Sequence, residues 1–365
     1  MHGHFTLDVA MDEPNLDGVR RRIREIDEEL LGLAAERQRL AREVGEIKRR
    51  LHLATVDYAQ ERAVLERARA SAERAGLDPA VAVDLIARLI RASVTAQDEE
   101  SLRFAGTGAG KRAVVMGGAG RMGRWMRRFL AAQGFQVGSM DPAEPGDEME
   151  RARAALPNAE LVVCCAPPAV TAAIYRTWCA APPRGVIADI ASIKTPVVQA
   201  IRDLQAAGAC VGSMHPMFGP SISLLRDADV VICDTGDAAA ARTIEELFQP
   251  TTARLVRMPL DEHDRLMADL LSLAHATAIA FALSLPPQEH PVRSTTFGAL
   301  ERLASAVVRE SPDVYFEIQS SNPHSAAALE RLRGSVERLV QAVASGDAAT
   351  FAELMRDGQR RTTAR

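Results

Sequence analysis

Three groups of residues in this 365-residue chain have the types and spacing that chemistry needs. The first is a set of polar groups set into apolar helical stripes. Apolar residues run Val19, Ile23, Ile26, Leu30 and Leu33, then Leu40, Val44, Ile47 and Leu51. Steps of three and four mark one face of a long helix. The missing beat is Arg37, and Lys48 follows eleven residues later, about three turns on and nearly the same face. A second stripe, Ala82, Ile86 and Leu89, continues into Ser93 and Gln97, and Glu61 opens an amphipathic stretch with Leu65 and Ala68. One charge in such a seam reads as a structural ion pair, since an unpaired buried charge is costly. Arg37, Lys48, Glu61, Ser93 and Gln97 together read as a small polar site inside a helical bundle, suited to an anionic small molecule.

The second group is Gly117-Gly-Ala-Gly-Arg-Met-Gly123. Gly118, Gly120 and Gly123 fit G-x-G-x-x-G, with the apolar run Ala113–Met116 before and a helical stretch after. In that pattern the first glycine permits a tight turn, the second lets backbone approach a pyrophosphate, and the third lets helix pack on strand. The helix N-terminus then faces the phosphates. The expected dinucleotide contacts are Gly118, Ala119, Gly120, Arg121, Met122 and Gly123, with Ala166 and Pro167 after a later apolar run. Asp141 lies 18 residues past Gly123, where an acid suits a free ribose 2′-hydroxyl and repels a 2′-phosphate, so NAD is expected over NADP. The third group is Asp189-Ile-Ala-Ser-Ile-Lys194 and His215-Pro-Met-Phe-Gly-Pro220, followed by Glu262-His-Asp264 and His275 on a later helix. Both strings follow apolar runs, which places them at the carboxyl edge of a sheet, where cofactors bind. A lone histidine is more often structural, but Pro216 and Gly219 constrain the segment beside His215.

These groups must be positioned by three segments. Residues 1–103 read as helix, and 104–110 as a small, Gly-rich linker. Across 111–258, the runs Ala113–Met116, Phe135–Ser139, Leu161–Cys165, Val186–Ile190, Ala209–Ser213, Val230–Cys233 and Arg254–Met258 alternate with helical stretches. That alternation predicts a parallel sheet. Residues 259–365 read as helices broken by prolines. Hydrophobic residues are 47% of the chain, enough for sizeable cores. A net charge of −4, with 44 basic against 48 acidic side chains, removes the electrostatic case for nucleic acid. Aromatics at 4% leave few stacking platforms. No stretch reads as long and apolar enough to cross a bilayer, and Met1 to Asn15 does not resemble a secretory signal. The five cysteines show no metal-ligand spacing, so a reduced, cytoplasmic protein without a metal site is expected.

The helical segment resembles the AroQ-type chorismate mutase family over nearly all of residues 16–100, most strongly in Ala35-Glu-Arg-Gln-Arg-Leu-Ala-Arg-Glu-Val-Gly-Glu-Ile-Lys48 and at Ser93 and Gln97. The resemblance implies an intertwined all-helical homodimer whose sites use Arg20 from the other chain, with Arg37, Lys48, Asp57, Glu61, Ser93 and Gln97. Arg20 lies about 100° around the helix from Arg37, which agrees with service in a different site. Arg20 and Arg37 would hold carboxylates, Lys48 and Gln97 would donate to the ether oxygen, and Glu61 would meet the ring 4-hydroxyl. Holding both carboxylates brings the reacting ends together, and the donors stabilise charge growing on the oxygen. The family usually has Arg just before the Glu; here Gln60 stands there.

From Lys111 to Ser321 the chain resembles the prephenate dehydrogenase (TyrA) family, with Ser-Ile-Lys and His-Pro-Met-Phe-Gly-Pro as its specific strings. The resemblance implies that His215 draws the ring hydroxyl proton as hydride passes to NAD and carbon dioxide leaves. Ser192 would support His215 and the substrate, and Lys194 and His275 would line the site. The family places an Arg on a later helix for the ring carboxylate; Thr295-Thr-Phe-Gly-Ala-Leu-Glu301 has none, with Arg293 and Arg302 nearby. The expected fold is therefore multi-domain α and α/β: an N-terminal all-helical AroQ-type mutase, a Rossmann-like dinucleotide-binding domain and a C-terminal all-helical dimerisation domain. The expected function is bifunctional, chorismate to prephenate and then NAD-dependent decarboxylation to 4-hydroxyphenylpyruvate, with small molecules as partners and neither nucleic acid nor membrane. The alternative is the 4-amino-4-deoxy series, because losing a cation near the ring substituent favours a cationic amine. A non-catalytic regulator is disfavoured by the retained Glu61, Gln97, Ser192 and His215.

Overall fold

The computed structural model describes residues 16–51, 53, 58–222, 225, 228–287 and 291–363, and the chain forms two compact units, up to Leu102 and from Arg103. In the first, α1 (Leu16–Arg50), α2 (Tyr58–Ala75) and α3 (Pro79–Ala105) follow the expected stripes. Gly45 is the one fully buried residue of the 35-residue α1, because its Cβ position is filled by Gln97 of α3. Val19, Ile23, Ile26, Leu30 and Leu33 stay 41–64% exposed.

The second unit is built on a seven-stranded sheet in the order β2-β1-β3-β4-β5-β6-β7. Its strands are β1 (Arg112–Met116), β2 (Gln136–Met140), β3 (Leu161–Cys164), β4 (Val186–Asp189), β5 (Cys210–Pro216), β6 (Asp229–Asp234) and β7 (Arg254–Pro259). Each coincides with one of the seven apolar runs. Both faces are covered, which is why β1 and β3 are apolar without alternation. On one face α4 (Arg121–Ala132) and α8 (Ala238–Phe248) meet through the stacked rings of Trp125, Phe129 and Phe248. Elsewhere α5 (Gly146–Ala155), α6 (Pro168–Trp178) and α7 (Thr195–Ala206) pack Ala152, Tyr175, Ile201 and Leu204 with Val114, Val162, Ile187 and Val211.

The sheet is not wholly parallel as the alternation predicts, since β6 runs antiparallel to β5. Residues 217–228 form no helix among those described, and a direct return without a crossover reverses the strand. The expected linker also carries structure: α3 runs through Ala105, and Gly108 donates its N–H to Gln133 O and lies against Phe135.

After β7 the chain is helical. α9 (Leu260–Met267) passes through a π-helical turn (Ala268–Leu273) into α10 (Ala274–Leu283), and α11 (Thr295–Val308), α12 (Pro312–Ser321), α13 (Ser325–Ser345) and α14 (Ala348–Thr363) follow. The run Leu260–Leu283 is, by length and composition alone, apolar enough to cross a bilayer, with mean hydropathy 1.7 over its window, which corrects the expectation that no stretch is. Asp261, Glu262, Asp264, Arg265 and Asp269 interrupt the apolar pattern and mask it in the sequence. Here its buried residues are His263, Asp264, Met267, Ala268 and Ser272, with Ala278 further on, and Gln319 of α12 donates to the Ser272 carbonyl within the π turn.

The carboxyl end of β4 is tied by a buried ion pair. Lys194 Nζ lies 2.8 Å from Asp189 Oδ1 and 2.7 Å from the Met214 carbonyl, and the side chains of both charged residues are fully buried. Removing one member of a buried pair strands the other charge, so Lys194→Met is expected to cost about 3–5 kcal/mol in denaturant unfolding of this unit. The double change Lys194→Met with Asp189→Leu should recover much of that loss.

Candidate functional site

In the first unit, Arg37 and its neighbour Gln38 face α3. Arg37 Nη1 donates to the Leu89 carbonyl at 3.1 Å and to Ser93 Oγ at 3.0 Å, and Gln38 Nε2 donates to the same carbonyl at 3.1 Å. Ser93 Oγ lies 3.0 Å from Gln38 Oε1 and 2.8 Å from Leu89 O. One turn on, Gln97 Nε2 donates to Ala41 O at 2.6 Å. The structure thus brings together Arg37, Ser93 and Gln97, with Ser93 and Gln97 each only 7% exposed. Lys48 and Glu61 are half-buried on α1 and α2. Arg20 is exposed and near Asp17, at 3.8 Å, and the 17 residues to Arg37 span about 25 Å of helix, so one chain does not unite them. Asp57 lies outside the described residues. Gln38 was not anticipated; its place beside Arg37 at the edge of the polar seam is the signal that could have found it.

In the second unit, the turns after β1 and β3 border a cleft of about 460 Å³ lined by Gly117, Gly120, Met140, Asp141, Ala166, Pro167, Val170 and Ile174, among others. This is where the strand order reverses, between β1 and β3, and such switch points form ligand crevices. The glycines divide their work differently from the motif rule. The positive φ of +74° falls on Gly117, whose Cβ would lie 2.8 Å from the Ala166 N. Gly118 is needed for space, since a Cβ would strike Ser139 Oγ at 2.0 Å. Gly123 lets α4 pack on the turn, its Cβ position being 2.1 Å from Gly117 O, while a Cβ at Gly120 would crowd the same carbonyl at 3.2 Å. Asp141 accepts from Ala119 N at 3.2 Å and Ala143 N at 2.9 Å, which fixes its carboxylate at the cleft. Arg121 pairs with Glu310, and Met122 is half-buried.

His215 is the penultimate residue of β5 and only 5% exposed. Its Nδ1 is 3.0 Å from His263 Nε2, and His263 Nδ1 is 2.8 Å from Asp264 Oδ1. Asp264 is pinned to the start of α7: Oδ1 accepts from Lys194 N at 2.7 Å, and Oδ2 accepts from Thr195 N at 2.7 Å and Thr195 Oγ1 at 2.6 Å. Burial pushes this carboxyl up, but the hydrogen bonds from His263, Lys194 and Thr195 outweigh it and hold it below the usual range. Burial lowers His215 well below the ordinary imidazole value; His263 and Lys194 lower it further and Asp264 opposes them.

The other expected residues are placed as follows. Lys194 directs its ammonium into the Asp189 pair, so it acts on the frame of the site and does not line an open pocket. Ser192 is half-buried beyond β4, and among the described residues no hydrogen bond joins it to His215. His275 stacks edge-on against Tyr315 at 4.4 Å, and its Nδ1 is buried without a hydrogen-bond partner among the described residues. Arg293 is paired with Glu301 at 3.2 Å along the start of α11. His263 and Asp264, to which the sequence assigns no role beyond their place in Glu262-His-Asp264, are the residues the structure joins to His215. The described residues hold no cluster with the makings of a metal site, and all five cysteines are free.

The region 19–98 matches the family described as chorismate mutase type II, and 136–257 matches the prephenate dehydrogenase nucleotide-binding domain. The T-protein of Enterobacter agglomerans is 29% identical over 344 residues, covering 92% of this chain and 90% of that protein. The 4-amino-4-deoxyprephenate dehydrogenase of Streptomyces pristinaespiralis is 33% identical over 266 residues, covering 67% of this chain and 88% of that protein. A crystal structure of prephenate dehydrogenase from A. aeolicus in complex with hydroxyphenyl propionate and NAD+ matches with a TM-score of 0.55 at 15% identity, over 70% of this chain and 98% of that one, a likeness of fold. The chain belongs to the prephenate dehydrogenase family, and carries a type II chorismate mutase unit ahead of the nucleotide-binding domain.

Proposed function

We propose that the chain catalyses two consecutive reactions, rearrangement of chorismate to prephenate and NAD-dependent oxidative decarboxylation of prephenate to 4-hydroxyphenylpyruvate, in a tyrosine-type pathway. The observation that carries this reading is that one chain joins the Arg37–Ser93–Gln97 cluster to a buried, hydrogen-bonded His215 in a dehydrogenase fold. The product of the first reaction is the substrate of the second. We assign the mutase to the first unit, NAD binding to 111–258, and substrate closure and dimerisation to 259–365.

In the mutase, Arg37 with Arg20 of a second copy would hold the two carboxylates, Lys48 and Gln97 would donate to the breaking ether oxygen, Glu61 would meet the ring hydroxyl, and Ser93 would steady Arg37. Asp57 joins this set by resemblance. A second copy also suits α1, since an apolar stripe 41–64% exposed on a helix with one buried residue needs a covering partner. We therefore take the working form to be a homodimer, in the cytoplasm, where the free cysteines stay reduced.

In the dehydrogenase, the cleft at Asp141 fits NAD. Gly120 lines the cleft, where backbone without a side chain can approach the pyrophosphate, and the pinned carboxylate suits a ribose hydroxyl. Gly118, Ala119, Arg121, Met122 and Gly123 would surround the phosphates, and Ala166 and Pro167 would close the opposite wall. NAD, when bound, supplies the hydride acceptor. His215 draws the ring hydroxyl proton as hydride leaves the same carbon. The electrons of the carbon–carboxylate bond then fill the ring, and the proton returns to the phenolic oxygen. Ser192 and His275 would orient the substrate, and Lys194 would hold the frame through Asp189.

A second reading, the 4-amino-4-deoxy series, is favoured by three observations: the 33% identical relative, Gln60 beside Glu61, and α11 without an arginine in Thr295–Glu301. Purified protein given chorismate and NAD should form reduced cofactor and 4-hydroxyphenylpyruvate. A higher kcat/KM with 4-amino-4-deoxychorismate would move the assignment to the second reading, and turnover of neither would reject both.

Arg37→Ala should lower mutase kcat/KM by about a hundredfold or more, because a misplaced carboxylate loses the reactive geometry, while hydride transfer from supplied prephenate stays within about twofold. The base must be neutral, and burial lowers the pKa of His215. Dehydrogenase kcat/KM should therefore hold steady as pH falls past about 6.5, the free imidazole value, and decline only at more acid pH. A pH profile that breaks at or above that value would contradict a buried base.

A further inference from the structure

The protonation pattern around His215 can be traced from the backbone outward. Asp264 is fixed at its far side by donors that cannot turn round, the N–H groups of Lys194 and Thr195. An ionised carboxylate only accepts, so the proton between Asp264 Oδ1 and His263 resides on Nδ1 of His263. A neutral imidazole has a single N–H, which leaves His263 Nε2 as a lone pair. That lone pair is 3.0 Å from His215 Nδ1, which must then carry the hydrogen.

His263 is held neutral by its surroundings. Burial lowers its pKa, Lys194 adds to this, and Asp264 and Asp189 oppose without reversing it. The buried charges in this cluster are Asp189 and Lys194, which neutralise each other at 2.8 Å, and Asp264, while Asp261, Glu262 and Arg265 of α9 are exposed to solvent. The cluster therefore keeps one uncompensated negative charge, two hydrogen bonds away from His215.

We propose that His263 and Asp264 are positioning residues that lock His215 as its Nδ1–H tautomer, so that Nε2 presents the lone pair that takes the substrate proton. The chain starts at the backbone of α7, passes through Asp264 and His263, and ends on the base. The charge of Asp264 then stabilises the imidazolium that exists while hydride leaves. The lock deepens the dehydrogenase reading, because it acts through the base that reading names.

The test has an arm that needs no turnover. In protein labelled with 15N-histidine, long-range proton–nitrogen spectra distinguish protonated from lone-pair ring nitrogens, and His215→Asn identifies the His215 signals. His215 is expected to show Nδ1 protonated and Nε2 as the lone pair; the opposite tautomer overturns the proposal. In the second arm, NAD reduction with prephenate is measured for His263→Leu and His263→Gln, with thermal unfolding of each. His263→Leu should lower kcat by up to roughly 10⁴-fold, the loss seen when a catalytic imidazole loses its orienting partner, with little change in KM. His263→Gln, whose amide oxygen can accept from His215 Nδ1, should recover at least about tenfold of that loss. A His263→Leu variant as active as the natural chain, or a folded His263→Gln variant as poor as Leu, overturns the lock. The expected tautomer in a protein that does not turn over prephenate supports the lock and rejects the prephenate reading.

Discussion

The second unit depends on one carboxylate, that of Asp264. It accepts hydrogen bonds from two consecutive backbone amides at the start of α7, from the Thr195 hydroxyl and from His263. A carboxylate at a helix N-terminus is favoured by the helix dipole and by the unpaired N–H groups there. The same residue belongs to α9, and its own carbonyl accepts from Asn322 at the corner between α12 and α13. Through its side chain and its carbonyl, this one residue thus joins the sheet's carboxyl edge to the C-terminal helices and, by way of His263, to His215. In the proposed dehydrogenase, this capping interaction is the reference point for the catalytic proton.

The segment from Asp189 to Lys194 works in the same way at shorter range. Asp189 Oδ1 accepts from Ala191 N as well as from the Lys194 ammonium, so the loop after β4 closes on its own first residue. Closure sets the level at which Ser192 emerges and at which α7 begins. The π turn between His263 and His275 does a related task on α9 and α10. A wider turn changes which residues share a face, so two histidines twelve positions apart need not follow ordinary helical register.

Much of the architecture is legible in the sequence. Seven apolar runs become seven strands, and the central β1 and β3 carry no polar alternation because both their faces are covered, whereas edge strand β7 keeps Arg254 and Arg257 exposed. The reversed direction of β6 is not legible in those runs; it follows from a connection without a crossover helix. Lys194 reads from sequence as a lining cation, since a lysine in a motif next to a strand resembles a ligand group. Its true partner is five residues earlier, and only the closed loop reveals it. His263 was visible as part of an acid-flanked string, yet the 48 residues between it and His215 carry no periodic relation. In the helical unit the polar breaks at Arg37, Ser93 and Gln97 were readable because they interrupt regular stripes, whereas Gln38 lies beside the stripe and has no such contrast.

The exposed seam of α1 has a consequence for how the protein assembles. The sheet unit has a buried core that a single chain supplies. A helix of 35 residues with one buried position has no such core, and its ordering is tied by mass action to whatever covers it. If two chains are held together anywhere else along their length, their α1 helices meet at a raised effective concentration. Fusion to a second self-associating unit would then keep the N-terminal helices paired at dilutions where the isolated segment would come apart.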